Sequence, residues 1–309
     1  MDKFMLDEFH SYHHPVLLRE SLEGLNIRPE GIYVDATFGG GGHSRAILEK
    51  LSTGRLIAFD QDDDARQVAE TITHRSFTFC HANFRYLKRF LDWHGVNAVH
   101  GILADLGVSS HQFDEAARGF SIRHEGPLDM RMDTRNPLTA ARIVNEYHPD
   151  ELQRVLSQYG EVRNARTLAL AIAAQRTQAP IGTTARLVDI LRPFAPKKKE
   201  NQYFAQVFQA LRIEVNDELK ALEDFLHQAG EVLVPGGRLV VLSYHSLEDR
   251  IIKNYINKGT VWGEPVKDMY GNVLKTFKAV NRKPIVPDEK EIQQNNRARS
   301  AKLRIAEKI

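Results

Sequence analysis

Apolar positions in the first third of the chain fall in short bursts separated by amphipathic stretches. GIYVDATF (31–38) is a β-rich run and GHSRAILEKL (42–51) carries apolar residues at helical spacing, so the pattern predicts strand, glycine turn, helix. RLIAFD (55–60) reads as a second strand, DDARQVAETI as a second helix, SFTFCHANF as a third strand and VHGILADLGVSS (99–110) as a fourth. The style returns near the C-terminus, where NDELKALEDFLHQAGEVL is an amphipathic helix, PGG a turn and RLVVLSYHS (238–246) a strongly apolar strand that belongs with the first four. Strands alternating with helices predict an α/β fold with a parallel sheet.

The interval 113–214 is far too long for a connection within such a sheet, where loops typically run ~2 to 6 residues. Its segments LTAARIVNEY, DELQRVLSQYG, RNARTLALAIAAQR, TTARLVDILRPF and YFAQVFQALRIEV have helical spacing and no strand-like alternation. The expected organisation is a sheet domain built from 1–112 and 215–309, interrupted by a mainly α-helical domain over 113–214.

Composition adds little to this pattern but excludes several classes. With 42% hydrophobic and 27% charged residues the chain has the make-up of a soluble globular protein. No run approaches the roughly 18 apolar residues of a membrane helix, and MDKFMLDEFHSYHHPV lacks both the basic start and the apolar stretch of a signal peptide, so a cytoplasmic protein with no membrane partner is expected. The single cysteine, Cys80, cannot form an internal disulfide and reads as a buried small residue. Net charge is only +2, but NNRARSAKLRIAEKI sets Arg297, Arg299, Lys302, Arg304 and Lys308 against Glu307 alone. Such a cluster suits either a solvated surface or a polyanion-binding face, and Lys197–Lys199, after Pro193 and Pro196, forms a second.

Candidate chemistry begins at VDATFGGGGHSRAIL, with four glycines where strand hands over to helix. At the carboxyl end of the first strand of a doubly wound sheet, glycines let the backbone turn tightly and approach a cofactor. A nucleotide-binding P-loop needs Gly-Lys-Ser/Thr, whereas His43, Ser44 and Arg45 follow here. A dinucleotide fingerprint needs a third Gly or Ala, but Ser44 or Arg45 stands in its place, which weakens a nicotinamide-dependent oxidoreductase. What remains is the S-adenosylmethionine version of the sheet, with an acid at the end of strand two for the ribose hydroxyls. Asp60 stands there, about twenty residues after the glycines. It also fits a plain helix-capping role in DQDDDA. Asp105 ends strand four and VLVPGGRLVVLS precedes and forms strand five, so Gly39–Gly42, Asp60 and Asp105 are expected to line one crevice.

The resemblance then becomes specific. HPVLLRESLEGLNIRPEGIYVDATFGGGGHS, ILADLGVSSHQFDEAARGFSIRHEGPLDMRMD, VFQALRIEVNDELKALE, SYHSLEDRIIK and NNRARSAKLRIAE together resemble the bacterial 16S ribosomal RNA cytosine-N4 methyltransferase family, over nearly the whole chain. That resemblance implies a class I S-adenosylmethionine-dependent methyltransferase (Rossmann-like) sheet with an inserted helical substrate-recognition domain, S-adenosyl-L-methionine as methyl donor, and a decoding-centre cytosine of 16S rRNA in the small ribosomal subunit as target. Carried over by motif, the cofactor residues are Gly41, Gly42 and His43, Asp60, Phe84 of HANF, Asp105 and Gln112 of SSHQFD, beside Gly39 of the glycine turn. The chain departs from the family pattern in two places. NQYFAQVFQALRI lacks the usual His-Pro-Ala stretch with its basic residue, and SYHSLEDR has Tyr244 where Phe is usual.

For catalysis, the exocyclic amine of cytosine is a poor nucleophile because its lone pair is delocalised into the ring. Transfer needs alignment and an acceptor for the departing proton. Asp105 is the first candidate, although DLGV differs from the acid or amide followed by two prolines and an aromatic common in amino-methylating enzymes. His245, with Ser246 and Asp249 in YHSLEDR, is the second; no Gly-x-Ser-x-Gly elbow accompanies it, so substrate binding is expected rather than hydrolysis. No HExxH occurs and one cysteine cannot build a zinc site, so no metal is expected. Arg297, Arg299, Lys302 and Arg304 are the candidate RNA contacts, with Arg297 and Arg299 on one side if the tail is extended. A non-catalytic RNA-binding protein with a degenerate cofactor fold is the remaining alternative.

Overall fold

The computed structural model describes residues 15–309; the N-terminal MDKFMLDEFHSYHH and the first residue of the HPVLLRES motif lie outside them. The described residues form two compact units, one from residues up to Gly107 with Leu219–Ile309 and one from Val108–Glu218, where the sequence placed the insertion at 113–214.

The first unit is built on a seven-stranded sheet in the order β3-β2-β1-β4-β5-β7-β6. Its strands are β1 (Ile32–Asp35), β2 (Arg55–Asp60), β3 (Phe77–His81), β4 (Val99–Asp105), β5 (Leu233–Ser243), β6 (Phe277–Ala279) and β7 (Lys302–Lys308). The first five run parallel, and β7 enters antiparallel between β5 and β6. This is the class I methyltransferase arrangement.

Side chains alternate across it, as period two requires. Val34, Ile57, Ile102 and Val241 point to one face, where they pack with Leu87 and Leu91 of α4 (Leu87–Trp93), Phe225 of α11 (Glu218–Val232) and Ile251 of α12 (Ser246–Lys258). Tyr33, Leu56, Leu103 and Val240 point to the other, against Leu25 of α1 (Leu18–Leu25) and Ile47 of α2 (Gly42–Leu48). Helix α3 (Asp63–Ala69) contributes Ala65 and Ala69 to a smaller cluster with Phe38. Cys80 is buried, as its apolar flanks predict, and burial pushes its thiol up to about 12.

Two sequence expectations need correcting here. The PGG triplet is not a turn ahead of β5 but a bulge within it. Leu233 pairs with Val99 and Arg238 with Gly101, so five residues advance on one strand against two on the other, and Gly236 takes a positive φ of 77° in the excess. The tail is not extended throughout, because Asn296–Ser300 forms a 3-10 turn before β7.

The second unit holds α5 (Ser110–Asp114), α6 (Ala140–Glu146), α7 (Pro149–Gln158), α8 (Ala165–Arg176), α9 (Thr184–Leu191) and α10 (Glu200–Asn216) around a core of its own that includes Ile143, Leu156, Leu168, Leu187 and Phe208. The GPLDMRMD motif acts here as a staple. Met130 sits at φ 64°, a left-handed conformation that a side chain resists, and is held by its own N–H to Arg118 O at 3.0 Å and by Asn216 Nδ2 to its carbonyl at 2.8 Å. Asp129 grips the Arg131 guanidinium through two 2.8 Å bonds. No helix among the described residues is long and apolar enough to cross a membrane.

Candidate active site

Beyond the end of β1 the backbone runs between its two neighbours. The Ala36 N–H donates to Leu103 O of β4 and the Phe38 N–H to Phe59 O of β2, both at 2.8 Å. The chain then reverses, with Gly39 and Gly41 at φ 51° and 77°. A Cβ on Gly41 would lie 2.7 Å from the Phe38 ring, whereas nothing lies within 4 Å of the Cβ positions of Gly39 and Gly40. The underside of the turn is therefore packed, while the space over Gly39 and Gly40 is open. Gly42 and His43 follow as the first residues of α2.

Acids from three parallel strands end at this turn. Asp60 Oδ2 accepts the Gly39 N–H at 2.8 Å and Oδ1 the Asp62 N–H at 3.0 Å, so the carboxylate is held by backbone donors with lone pairs left for a ligand's hydroxyls. Burial raises its pKa to about 6. Asp35, which sequence reasoning passed over, is fully buried at the end of β1; its Oδ2 accepts from Ser44 Oγ at 2.6 Å, and burial lifts it also to about 6. Asp105 is tied at both ends. Its backbone N–H donates to Thr37 Oγ1 at 2.6 Å, and its Oδ1 accepts the Tyr244 hydroxyl at 2.8 Å. Burial raises Asp105 to about 7, with Asp35 and Glu248 adding to the rise and the Tyr244 bond opposing it.

His43 is buried, with Nδ1 3.8 Å from Asp105 Oδ2, and burial lowers it to about 4, so it is neutral near pH 7. Tyr244 is pushed well above the usual phenol range by burial and by Asp105, which keeps its hydroxyl a donor. The resemblance gave its place to Phe and assigned it no role. Its contact with Asp105 spans 139 positions, beyond the reach of any local pattern.

The other expected residues divide. Phe84 opens a 3-10 turn after β3, edge-on to Phe225 at 5.2 Å, with neighbouring Asn83 bonded to Gln61 beside Asp60 at 2.8 Å. Gln112 belongs to the helical unit, where its Oε1 accepts the Ser109 N–H at 3.0 Å in a capping box. His245 is the N-cap of α12, its Nδ1 accepting the Glu248 N–H at 3.4 Å and its Nε2 3.2 Å from Glu248 Oε1. Asp249, grouped with His245 in the sequence reading, instead takes Arg304 Nε at 2.7 Å and Lys302 Nζ at 3.4 Å. Of the candidate RNA contacts, Arg304 and Lys302 thus pair with a carboxylate of their own chain, and Arg304 is buried on β7. Arg297 and Arg299 are exposed on the 3-10 turn, and Lys197–Lys199 are likewise exposed.

The open glycine turn and the backbone-held Asp60 fit an amino-acid and ribose ligand, and the cluster of Asp35, Asp60 and Asp105, with no basic side chain among their hydrogen-bond partners in the described residues, suits a cation. Ribosomal RNA small subunit methyltransferase H of Cytophaga hutchinsonii is 57% identical over 297 residues, covering 96% of this chain and 99% of that one. The protein of the same name from Amoebophilus asiaticus is 55% identical, covering 96% of each. A solved structure described as a putative rRNA methylase from Clostridium thermocellum aligns at 14% identity with a TM-score of 0.44, over 96% of this chain and 100% of that one. Residues 10–309 match the MraW methylase family, and the chain belongs to that family.

Proposed function

We propose that the protein methylates the exocyclic N4 amine of a decoding-centre cytosine in 16S rRNA, within the small ribosomal subunit in the cytoplasm, using S-adenosyl-L-methionine. The observation that carries this reading is the open glycine turn with its Gly39 N–H on Asp60, set in a chain that belongs to the MraW methylase family. Gly39, Gly41 and Gly42, with His43, would take the amino-acid part of the cofactor, Asp60 the ribose, and Phe84 the adenine. The cofactor, when bound, supplies an electrophilic methyl group on a sulfonium cation.

The chain's own task is to orient the amine and receive its proton. Asp105 fits both, since a carboxyl near 7 is substantially ionised under physiological conditions and basic enough to accept a proton. Tyr244 and Thr37 fix where that carboxyl points. Neutral His43 adds no positive charge beside a cation. His245 caps α12 and fixes where that helix starts, and it remains a candidate for substrate binding in this reading. The helical unit supplies recognition of the target, with the base drawn out of its stack.

Mapping methylated nucleotides in rRNA from cells with and without the gene tests the assignment. One N4-methyl mark on a 16S cytosine should vanish with the gene, and an unchanged pattern would refute it. Calorimetric titration should show binding of S-adenosylmethionine and none of NAD.

A further inference from the structure

The segment between α12 and β6 takes no part in the site above. Val261 and Phe277, both buried in the larger core cluster of the sheet unit, anchor its two ends. Between them Val266–Leu274 folds back on itself. The Leu274 N–H donates to Val266 O at 2.8 Å, and Lys267 bridges Val273 in antiparallel register. Asp268 locks the tip, with Oδ1 accepting the N–H groups of Tyr270 and Asn272 at 2.9 Å and Oδ2 accepting Asn272 Nδ2 at 3.0 Å.

A tip tied in this way is ordered, yet Met269 is 90% exposed, Tyr270 83% and Trp262, near its base, 52%. Large apolar and aromatic groups held out to water on a fixed hairpin form a contact surface. The charge around them selects the partner. Lys258, Lys267, Lys275 and Lys278 are exposed, and the only acids between 253 and 283 are Glu264 and Asp268, the latter occupied with its own turn. A second copy of the chain meeting this patch across a two-fold axis would bring like charges together. A polyanion would neutralise them. Aromatic faces for bases, interleaved with cations for phosphates, are the combination that binds single-stranded nucleic acid.

We infer that this hairpin is a docking element for ribosomal RNA: Tyr270 and Trp262 stack on unpaired bases while Lys267 and Lys275 pair with phosphates. The inference rests on the RNA-substrate reading above and adds to it a surface distinct from the residues assigned to cofactor and methyl transfer. The test uses the full chain and purified small ribosomal subunits lacking the methyl group. Tyr270→Ala and Trp262→Ala should each weaken subunit binding roughly ten-fold, and Tyr270→Phe should restore it. Lys267→Gln with Lys275→Gln should flatten the slope of log affinity against log salt by ~1.4, at about 0.7 per phosphate. S-adenosylmethionine affinity should be unchanged in all of them, which also certifies their folding. Wild-type binding and methylation accompanied by unaltered affinity and slope in every variant would overturn the hairpin's role alone. Wild-type protein that does not bind subunits at all would overturn the RNA-substrate reading and the hairpin with it. Self-association lost in the variants on sedimentation, with RNA affinity intact, would identify a second copy as the occupant and refute the inference.

Discussion

A carboxyl near pH 7 beside a buried phenol makes Asp105 the residue through which the rate should sense pH. Tyr244→Phe removes a donor that favours the ionised form, so Asp105 rises further and the acid limb of the kcat profile should move to higher pH. A limb that stays in place would mean that Tyr244 only packs. Asp60→Ala should weaken S-adenosylmethionine binding by roughly 1 to 3 kcal/mol through loss of charge-assisted hydrogen bonds, which titration measures directly. The three acids also set a pH dependence of stability. Their folded values of about 6, 6 and 7 lie above the ordinary 3.8, so between roughly pH 4 and 7 the native state keeps protons that the unfolded chain has released. Stability of the cofactor-free protein therefore falls as pH rises through that window. S-adenosylmethionine affinity should rise over the same range as the acids ionise, and melting curves with titrations from pH 5 to 8 check both signs. Of this residue set, the glycines, Asp60 and Asp105 are legible because each is fixed by its position at a strand end. Asp35–Ser44 and Thr37–Asp105 are not, because a buried carboxylate or hydroxyl looks like any other until its partner is seen.

Among the elements, the basic tail separates most clearly into different roles. Arg304 and Lys302 lie on β7 and face Asp249 of α12, whereas Arg297 and Arg299 sit exposed on the preceding turn. Arg304→Ala leaves a largely buried carboxylate short of its main partner and should destabilise the protein by about 3 kcal/mol in denaturant unfolding. Arg297→Gln with Arg299→Gln should instead leave stability alone and flatten the RNA salt slope by ~1.4 if both touch phosphate. A wild-type slope would make that turn merely solvated. The sequence pattern showed a cluster of cations but not its division, since alternation along a strand reveals which residues share a face and not what that face meets. The same limit applies to PGG, where turn-forming residues are plain but their absorption into β5 depends on the register of β4. Helix α1 is legible only in part: Leu18, Leu22 and Leu25 stand at helical spacing, but eight residues give barely two turns of pattern, and the buried Ser21 and Gly24 are not apolar.

For the molecule as a whole, the interruption of an α/β pattern by a hundred residues of helical spacing was visible in loop length alone, and the helical unit has a core separate from that of the sheet. Replacing 140–210 with a short linker should leave S-adenosylmethionine binding measurable while abolishing methylation of small subunits; methylation at normal rates by the folded truncation would remove substrate recognition from this unit. The interruption falls between β4 and β5, strands that lie side by side with Asp105 opposite Leu242. During synthesis, β4 is complete long before any of β5 exists, and the closure entropy of that pairing grows with the intervening chain. Contacts within the helical unit are local by comparison, so it can fold first and turn a long floppy loop into a short effective one. Folding speed of the catalytic sheet is thereby placed under the control of a segment that contributes no strand to it: Leu168→Ala in the helical core should slow recovery of cofactor binding in refolding experiments.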